Sequence, residues 1–116
     1  MSHFTRKEFA CNCGCGFDTI DYELLEVLED VREHFNSPVH INSGCRCESW
    51  NKKIGGEDGS QHTKARAADI VVVGIKETIV ADYLESKYPD KYGIGRYSGR
   101  THIDTRSGGK ARWTAK

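Results

Sequence analysis

Asp69 stands in the middle of an apolar, β-branched run, Ala67-Ala68-Asp69-Ile70-Val71-Val72-Val73, and seven residues before it comes His62, in Ser60-Gln61-His62-Thr63. The run reads as a buried strand. A bare carboxylate inside such a strand is costly unless it is paired or binds a metal. If 62–69 were one helix, the two side chains would be separated by about 10.5 Å along its axis. That is too far to share a metal through bonds of about 2 Å. The chain must therefore fold back between them. With His102, in Thr101-His102-Ile103-Asp104, His62 and Asp69 make a candidate three-ligand zinc site. Imidazole nitrogen and carboxylate oxygen both suit Zn²⁺. Three protein ligands leave a fourth position for water, the pattern of catalytic rather than structural zinc. The competing reading is an aspartate at a strand edge, paired with Arg66 or Lys64.

A chain of 116 residues has room for one modest core, so a single domain over 1–116 is expected. Its 17 basic and 17 acidic side chains cancel, which gives no reason to expect nucleic acid or an anionic membrane as partner. No apolar run approaches the ~20 residues of a membrane span, so no membrane insertion is expected. The start, Met1-Ser2-His3-Phe4-Thr5-Arg6-Lys7, lacks the apolar stretch of a secretory signal. The expectation is a protein that is cytoplasmic as synthesised and monomeric. The five cysteines fall into two groups, Cys11, Cys13, Cys15 and Cys45, Cys47. Without a signal peptide the thiols are expected reduced. Cys-x-Cys is not the Cys-x-x-Cys spacing of zinc ribbons. Buried structural thiols, a small second zinc site and disulfides are the three readings.

Residues 4–18 read as irregular. From Asp21 to Phe35, Leu24, Leu25, Val27, Leu28, Val31 and Phe35 recur at helical spacing, with Asp21 as N-cap and Asn36-Ser37-Pro38 as the stop. Val39-His40-Ile41 suggests a short strand with His40 on its exposed face. A short helix is expected from about Glu48 to Ile54, ended by Gly55-Gly56. A further strand follows at 67–73. A second amphipathic helix is expected from about Lys76 to Tyr88, with Ile79, Val80, Tyr83 and Leu84 facing the core. Strands at about 92–97 and 101–105, joined by Ser98-Gly99, form a hairpin. Trp113 could cover the sheet. This order predicts an α+β fold, a small antiparallel sheet with flanking helices.

Ser60-x-His62 followed by Asp69 and then by His102 in a strand resembles the zinc D-alanyl-D-alanine carboxypeptidase family. That family includes phage L-alanyl-D-glutamate endolysins and shares a superfamily with lysostaphin-type enzymes and the hedgehog signalling domain. Phe4-Thr5-Arg6-Lys7-Glu8-Phe9, Ile41-Asn42-Ser43-Gly44-Cys45-Arg46, Gly55-Gly56, and Gly93-Ile94-Gly95-Arg96-Tyr97 before Thr101-His102-Ile103-Asp104 resemble its small phage and prophage members. The resemblance implies the zinc fold of that superfamily, Zn²⁺ on His62, Asp69 and His102, and Arg46 beside the metal. There Arg46 would steady the carbonyl oxygen or the peptide carboxylate. Three positions depart from the family pattern. Cys45 stands where Tyr is frequent, and Ala65 where Gly is frequent. Gly99 stands three residues before the last histidine, where many members carry the acidic general base. Asp104 is the nearest replacement. It shares a strand face with His102 and would serve either as the base or to orient His102.

The function these readings imply is hydrolysis of peptidoglycan stem peptides by metal-activated water, as a D,D-carboxypeptidase or an endopeptidase. Short loops favour an open groove and hence an endopeptidase. The expected source is a phage or prophage, with a second protein opening the membrane so that the enzyme reaches the cell wall. Two other classes compete: a non-catalytic zinc-binding module, and a thiol hydrolase using Cys45 or Cys47, which would need a histidine beside the sulfur.

Overall fold

The computed structural model describes residues 4–11, 13–15, 21–44, 46–55, 60–64 and 66–114. Cys45, Gly56, Glu57, Asp58 and Ala65 lie outside them, and with them the Cys45 thiol and the loop acids Glu57 and Asp58 that could stand in for Asp104 as base. A single 3₁₀ turn, Arg6–Phe9, precedes helix α1 (Tyr22–Phe35) and strand β1 (Val39–Ser43). Helix α2 (Glu48–Lys53) and a second 3₁₀ turn, Gln61–Lys64, lead into β2 (Ala67–Val72). Helix α3 (Glu77–Lys87) is followed by β3 (Gly93–Tyr97), β4 (Arg100–Asp104) and β5 (Ala111–Thr114).

α1 starts where the Asp21 carboxylate accepts from the Leu24 amide at 3.3 Å, satisfying an amide that the first turn would otherwise leave unpaired. The Thr105 hydroxyl donates to the same carboxylate at 3.0 Å, tying the cap to the end of β4. Asn36 ends the helix in the left-handed conformation, φ 49°, which Asn tolerates better than most residues. Leu24, Val27, Leu28 and Val31 are buried, one face at 3–4-residue spacing, each contributing about 1.5–3 kcal/mol of apolar burial.

The strands form one sheet in the order β1-β2-β4-β3-β5. Three pairings are antiparallel, but β5 runs parallel to β3. The sequence reading expected a wholly antiparallel sheet and no strand at β5. Ala111-Arg112-Trp113-Thr114 has little apolar alternation, because it is a half-buried edge strand held by pairing rather than by a hydrophobic face. The other expected elements are present, within about a residue or two at each end. Ile79 differs from expectation: it is 51 % exposed, while Val80, Ala81 and Leu84 carry the buried face of α3. His40 is exposed, as read.

Ala68, Ile70 and Val72 of β2, Ile94 and Ile103 pack with α1 and α3 into the core. The opposite face of the sheet carries Asp69, His102 and Asp104. β1 serves both faces through an irregularity. Ile41 pairs with Ile70, but Ser43, not Asn42, pairs with Asp69. The extra residue shifts the alternation, so Ile41 belongs to the core while Ser43 sits opposite Asp69. No described helix is long and apolar enough to cross a membrane.

Candidate metal centre

One register row crosses all five strands. Ser43 lies opposite Asp69, Asp69 opposite His102, His102 opposite Gly95, and Gly95 opposite Trp113. Residues directly opposite in adjacent strands share a face, so the row brings Asp69 and His102 side by side although they are far apart in sequence. Gly95 gives the row its relief. A Cβ there would lie 2.5 Å from the Trp113 indole. Its absence lets that ring lie across the sheet, with its centroid 4.9 Å from that of His102.

His62 arrives from outside the sheet, on the 3₁₀ turn. The Arg46 amide donates to the His62 carbonyl at 3.0 Å, and His62 Nδ1 lies 2.7 Å from the Gly44 carbonyl oxygen. A carbonyl only accepts, so Nδ1 carries the proton and Nε2 of the neutral ring presents a lone pair. That Nε2 is buried and has no hydrogen-bond partner. It faces Asp69 Oδ1 at 3.4 Å, with no donor between two electron-rich atoms. His102 Nδ1 lies 3.0 Å from the same oxygen. The ligating atoms of His62, Asp69 and His102 all lie within 4.8 Å of one another, and all three residues are buried. An orphaned imidazole nitrogen, a second imidazole and a carboxylate oxygen converging on one point form a donor set that suits Zn²⁺. A cation there would satisfy the group that otherwise goes unpaired.

Arg46 holds the other side of the carboxylate. Its Nη2 donates to Asp69 Oδ2 at 3.2 Å, Nη1 to Asn51 Oδ1 at 3.1 Å and Nε to Ser43 Oγ at 3.2 Å. The strand-edge reading of Asp69 fails. It is 5 % exposed on an inner strand, and its cationic partner is Arg46 rather than Arg66 or Lys64. Burial would raise the Asp69 pKa, but the hydrogen bond with His102 outweighs it and the value lies well below the usual carboxylate range.

Asp104 contacts His102 on its other nitrogen. Its Oδ2 is 2.7 Å from Nε2, whereas Nδ1 faces Asp69. The carboxylate is 0 % exposed. Arg106 donates to it through Nε at 2.8 Å and Nη2 at 2.7 Å, and through its backbone amide at 3.2 Å. Burial would raise the Asp104 pKa, but Arg106 and His102 hold it well below the usual range. For His102, burial would lower the pKa. The hydrogen bonds to Asp104 and Asp69 outweigh it and raise the value.

Gly93, opposite Asp104 in β3, makes room for this carboxylate. A Cβ at 93 would collide with both Asp104 oxygens and come within 2.7 Å of Arg106 Nε. Asp104, fully buried, has nowhere to go. Gly93→Ala should therefore destabilise the protein by about 1–3 kcal/mol and loosen His102. Thermal denaturation checks the first effect and zinc titration the second; a wild-type melting temperature would mean that the carboxylate moves aside freely.

The centre floors a cleft of about 680 Å³. Arg46, Arg100, Arg106, Tyr97 and Trp113 line it with the three donors, and Asp69 is the only acid lining it among the described residues. Asp104 is not part of the lining, and neither is Gly99, which forms the β3–β4 turn at φ 81°. The sequence reading overlooked Tyr97, Arg100 and Arg106. Tyr97 and Arg100 pair across that hairpin, so their proximity to His102 was implicit in the Ser98-Gly99 turn. The Cys47 sulfur is close to Cys11 and Cys13, not to an imidazole among the described contacts. The thiol-hydrolase geometry is therefore missing there.

No curated protein and no solved structure gives a significant match to this chain. A family profile described as Peptidase M15 does match, over residues 2–104. That span contains His62, Asp69, His102, Asp104 and Arg46, and the α+β fold accords with it. With most of its length covered, the chain belongs to the peptidase M15 family, that of the zinc D-alanyl-D-alanine carboxypeptidases.

Proposed function

We propose that this chain is a zinc metallopeptidase hydrolysing peptide bonds in peptidoglycan stem peptides. The observation that carries the reading is the convergence of His62 Nε2, Asp69 Oδ1 and His102 Nδ1 at the floor of the cleft, with Nε2 buried and unpartnered. His62, Asp69 and His102 would hold Zn²⁺, which would supply Lewis-acid activation of water and polarisation of a peptide carbonyl.

The protein's own groups do the remaining work. The Gly44 carbonyl keeps the His62 proton on Nδ1, so Nε2 is free to ligate. Asp104 takes a hydrogen bond from His102 Nε2, fixing the ring with Nδ1 toward the centre; this is the carboxylate–histidine–metal arrangement. We therefore assign Asp104 the orienting role and not that of general base. Arg46 spends three N–H groups on Asp69, Asn51 and Ser43. Arg46 also lines the cleft, where its remaining two N–H groups would be available to a carbonyl oxygen on which charge develops. The Tyr97 hydroxyl accepts from Trp113 Nε1 at 2.9 Å, leaving its own proton to donate to substrate. Arg100, stacked 4.2 Å over the Tyr97 ring, adds a permanent cation to the cleft wall. Stem peptides carry free carboxylates, and a cleft with three arginines and one committed aspartate suits them.

The absence of an uncommitted carboxylate in the cleft, among the described residues, favours one competing reading: a zinc-binding module without hydrolysis. Purified muropeptides incubated with the protein separate the two, with mass spectrometry of the products. The expected result is cleavage that stops on chelation and returns with added zinc, and the product masses name the bond. Intact muropeptides with a zinc-loaded, folded protein would overturn the peptidase reading and leave the binding module.

A further inference from the structure

Cys11, Cys13, Cys15 and Cys47 form a second cluster, separate from the His62 centre. Their four sulfurs all lie within 4.8 Å of one another. Cys11 and Cys13 are 3.4 Å apart, Cys13 and Cys47 3.6 Å, and Cys11 and Cys47 3.9 Å. Four thiolates around one zinc at 2.3 Å define a tetrahedron with edges of about 3.8 Å, close to these separations. The sequence does not place them together by spacing alone. In an extended chain, side chains two residues apart are held about 6.6–7 Å apart. Here the Gly14 amide closes a turn on the Cys11 carbonyl at 3.1 Å, with Gly14 at φ 82°. Cys47 reaches the group from 36 residues beyond Cys11.

Two further observations point to thiolates held for a ligand. The Cys47 amide donates to Cys11 Sγ and the Trp50 amide to Cys47 Sγ, each at 3.4 Å; a thiol sulfur is a weak acceptor and a thiolate a stronger one, so both amides favour the ligating form. Cys13 and Cys15 are exposed while Cys11 is buried, so the cluster is not a set of core thiols. All four cysteines are free.

We infer that Cys11, Cys13, Cys15 and Cys47 bind a second zinc ion in a closed, four-sulfur structural site. Its position explains its use. It ties the N-terminal segment, whose Phe4 and Phe9 pack in the core, to Cys47. The next residue back is Arg46, which grips Asp69 and the His62 backbone. The second ion would thus anchor one wall of the cleft to the N-terminal segment.

The test uses the full chain, purified reduced and loaded with Zn²⁺. Elemental analysis should give two zinc per chain, and X-ray absorption at the zinc edge should show Zn–S bonds of about 2.3 Å beside shorter bonds to nitrogen and oxygen. His62→Ala should keep one zinc with a sulfur-only shell. The double variant Cys13→Ser, Cys15→Ser should keep one zinc with a nitrogen/oxygen shell. These opposite losses separate failure of this site from failure of the peptidase centre. Should the double variant not fold, Co²⁺ substitution of the wild-type protein decides: a sulfur-to-cobalt charge-transfer band is expected. Absence of that band, one zinc with no sulfur shell, or fewer than five free thiols on denaturation without reductant would overturn the proposal.

Discussion

His62→Ala should lose the cleft's zinc and nearly all hydrolysis while keeping its fold. His62 hangs from the 3₁₀ turn and contributes nothing to the sheet ladder, so the strands and the core on their far face remain. What disappears is one of three donors and the reason for the other two to converge. Enzymes accelerate their reactions by at least about 10⁶-fold. A centre without its activated water should forfeit most of that, leaving turnover at the level of the chelated wild type. Circular dichroism controls for fold, and muropeptide turnover with added zinc makes the measurement. Wild-type turnover by His62→Ala would remove this residue from the centre. It would also leave the unpartnered Nε2 without a purpose.

Asp104→Asn should have a different signature. Asn can still accept from His102 Nε2, but it lacks the charge that Arg106 and the imidazole both use. Zinc affinity should fall about 10–100-fold, the range for partners of ligating histidines. Excess zinc should restore most of the turnover. A general base would instead leave affinity intact and cost about 10²–10⁴-fold in rate that zinc does not restore. Stability should fall by about 1–3 kcal/mol, because a buried group loses its charged partner. The pH dependence carries a sign. The Asp104 pKa is depressed in the folded protein, so its contribution is present above the unfolded carboxylate value of about 3.9. It is lost as pH falls toward the depressed folded value. In metal-free protein the gap in melting temperature between wild type and Asp104→Asn should therefore be full at neutral pH and close in acid. A gap that persists unchanged in acid would place its origin in packing.

The elements of this fold were legible wherever a side-chain period met a terminator. α1 has its apolar stripe, Asp21 before it and Asn36 after it; β2 is a β-branched run; the β3–β4 hairpin has Ser98-Gly99 at its turn. β5 has neither a period nor a cap, and its parallel pairing with β3 is a tertiary fact. Ile79 misled for a related reason. Helical spacing defines a face, but how far the sheet covers that face depends on where α3 lies.

The site divides along the same line. Sequence alone pointed to the candidate donors that the fold brings together, because an aspartate within an apolar strand and histidines in short motifs are chemically conspicuous under the burial cost of charge. It also determined that Asp104 shares a face with His102, since strands alternate with period two. What only the tertiary structure decided was which side of the imidazole each carboxylate meets. Asp69 reaches Nδ1 from the neighbouring strand and Asp104 reaches Nε2 from the same one. Likewise, Arg46 pairs with Asp69 through the irregularity in β1 that turns Ser43 to the site face. Periodicity specifies a face. Ring orientation and partner choice depend on register between strands, which arises from contacts between residues distant in the chain.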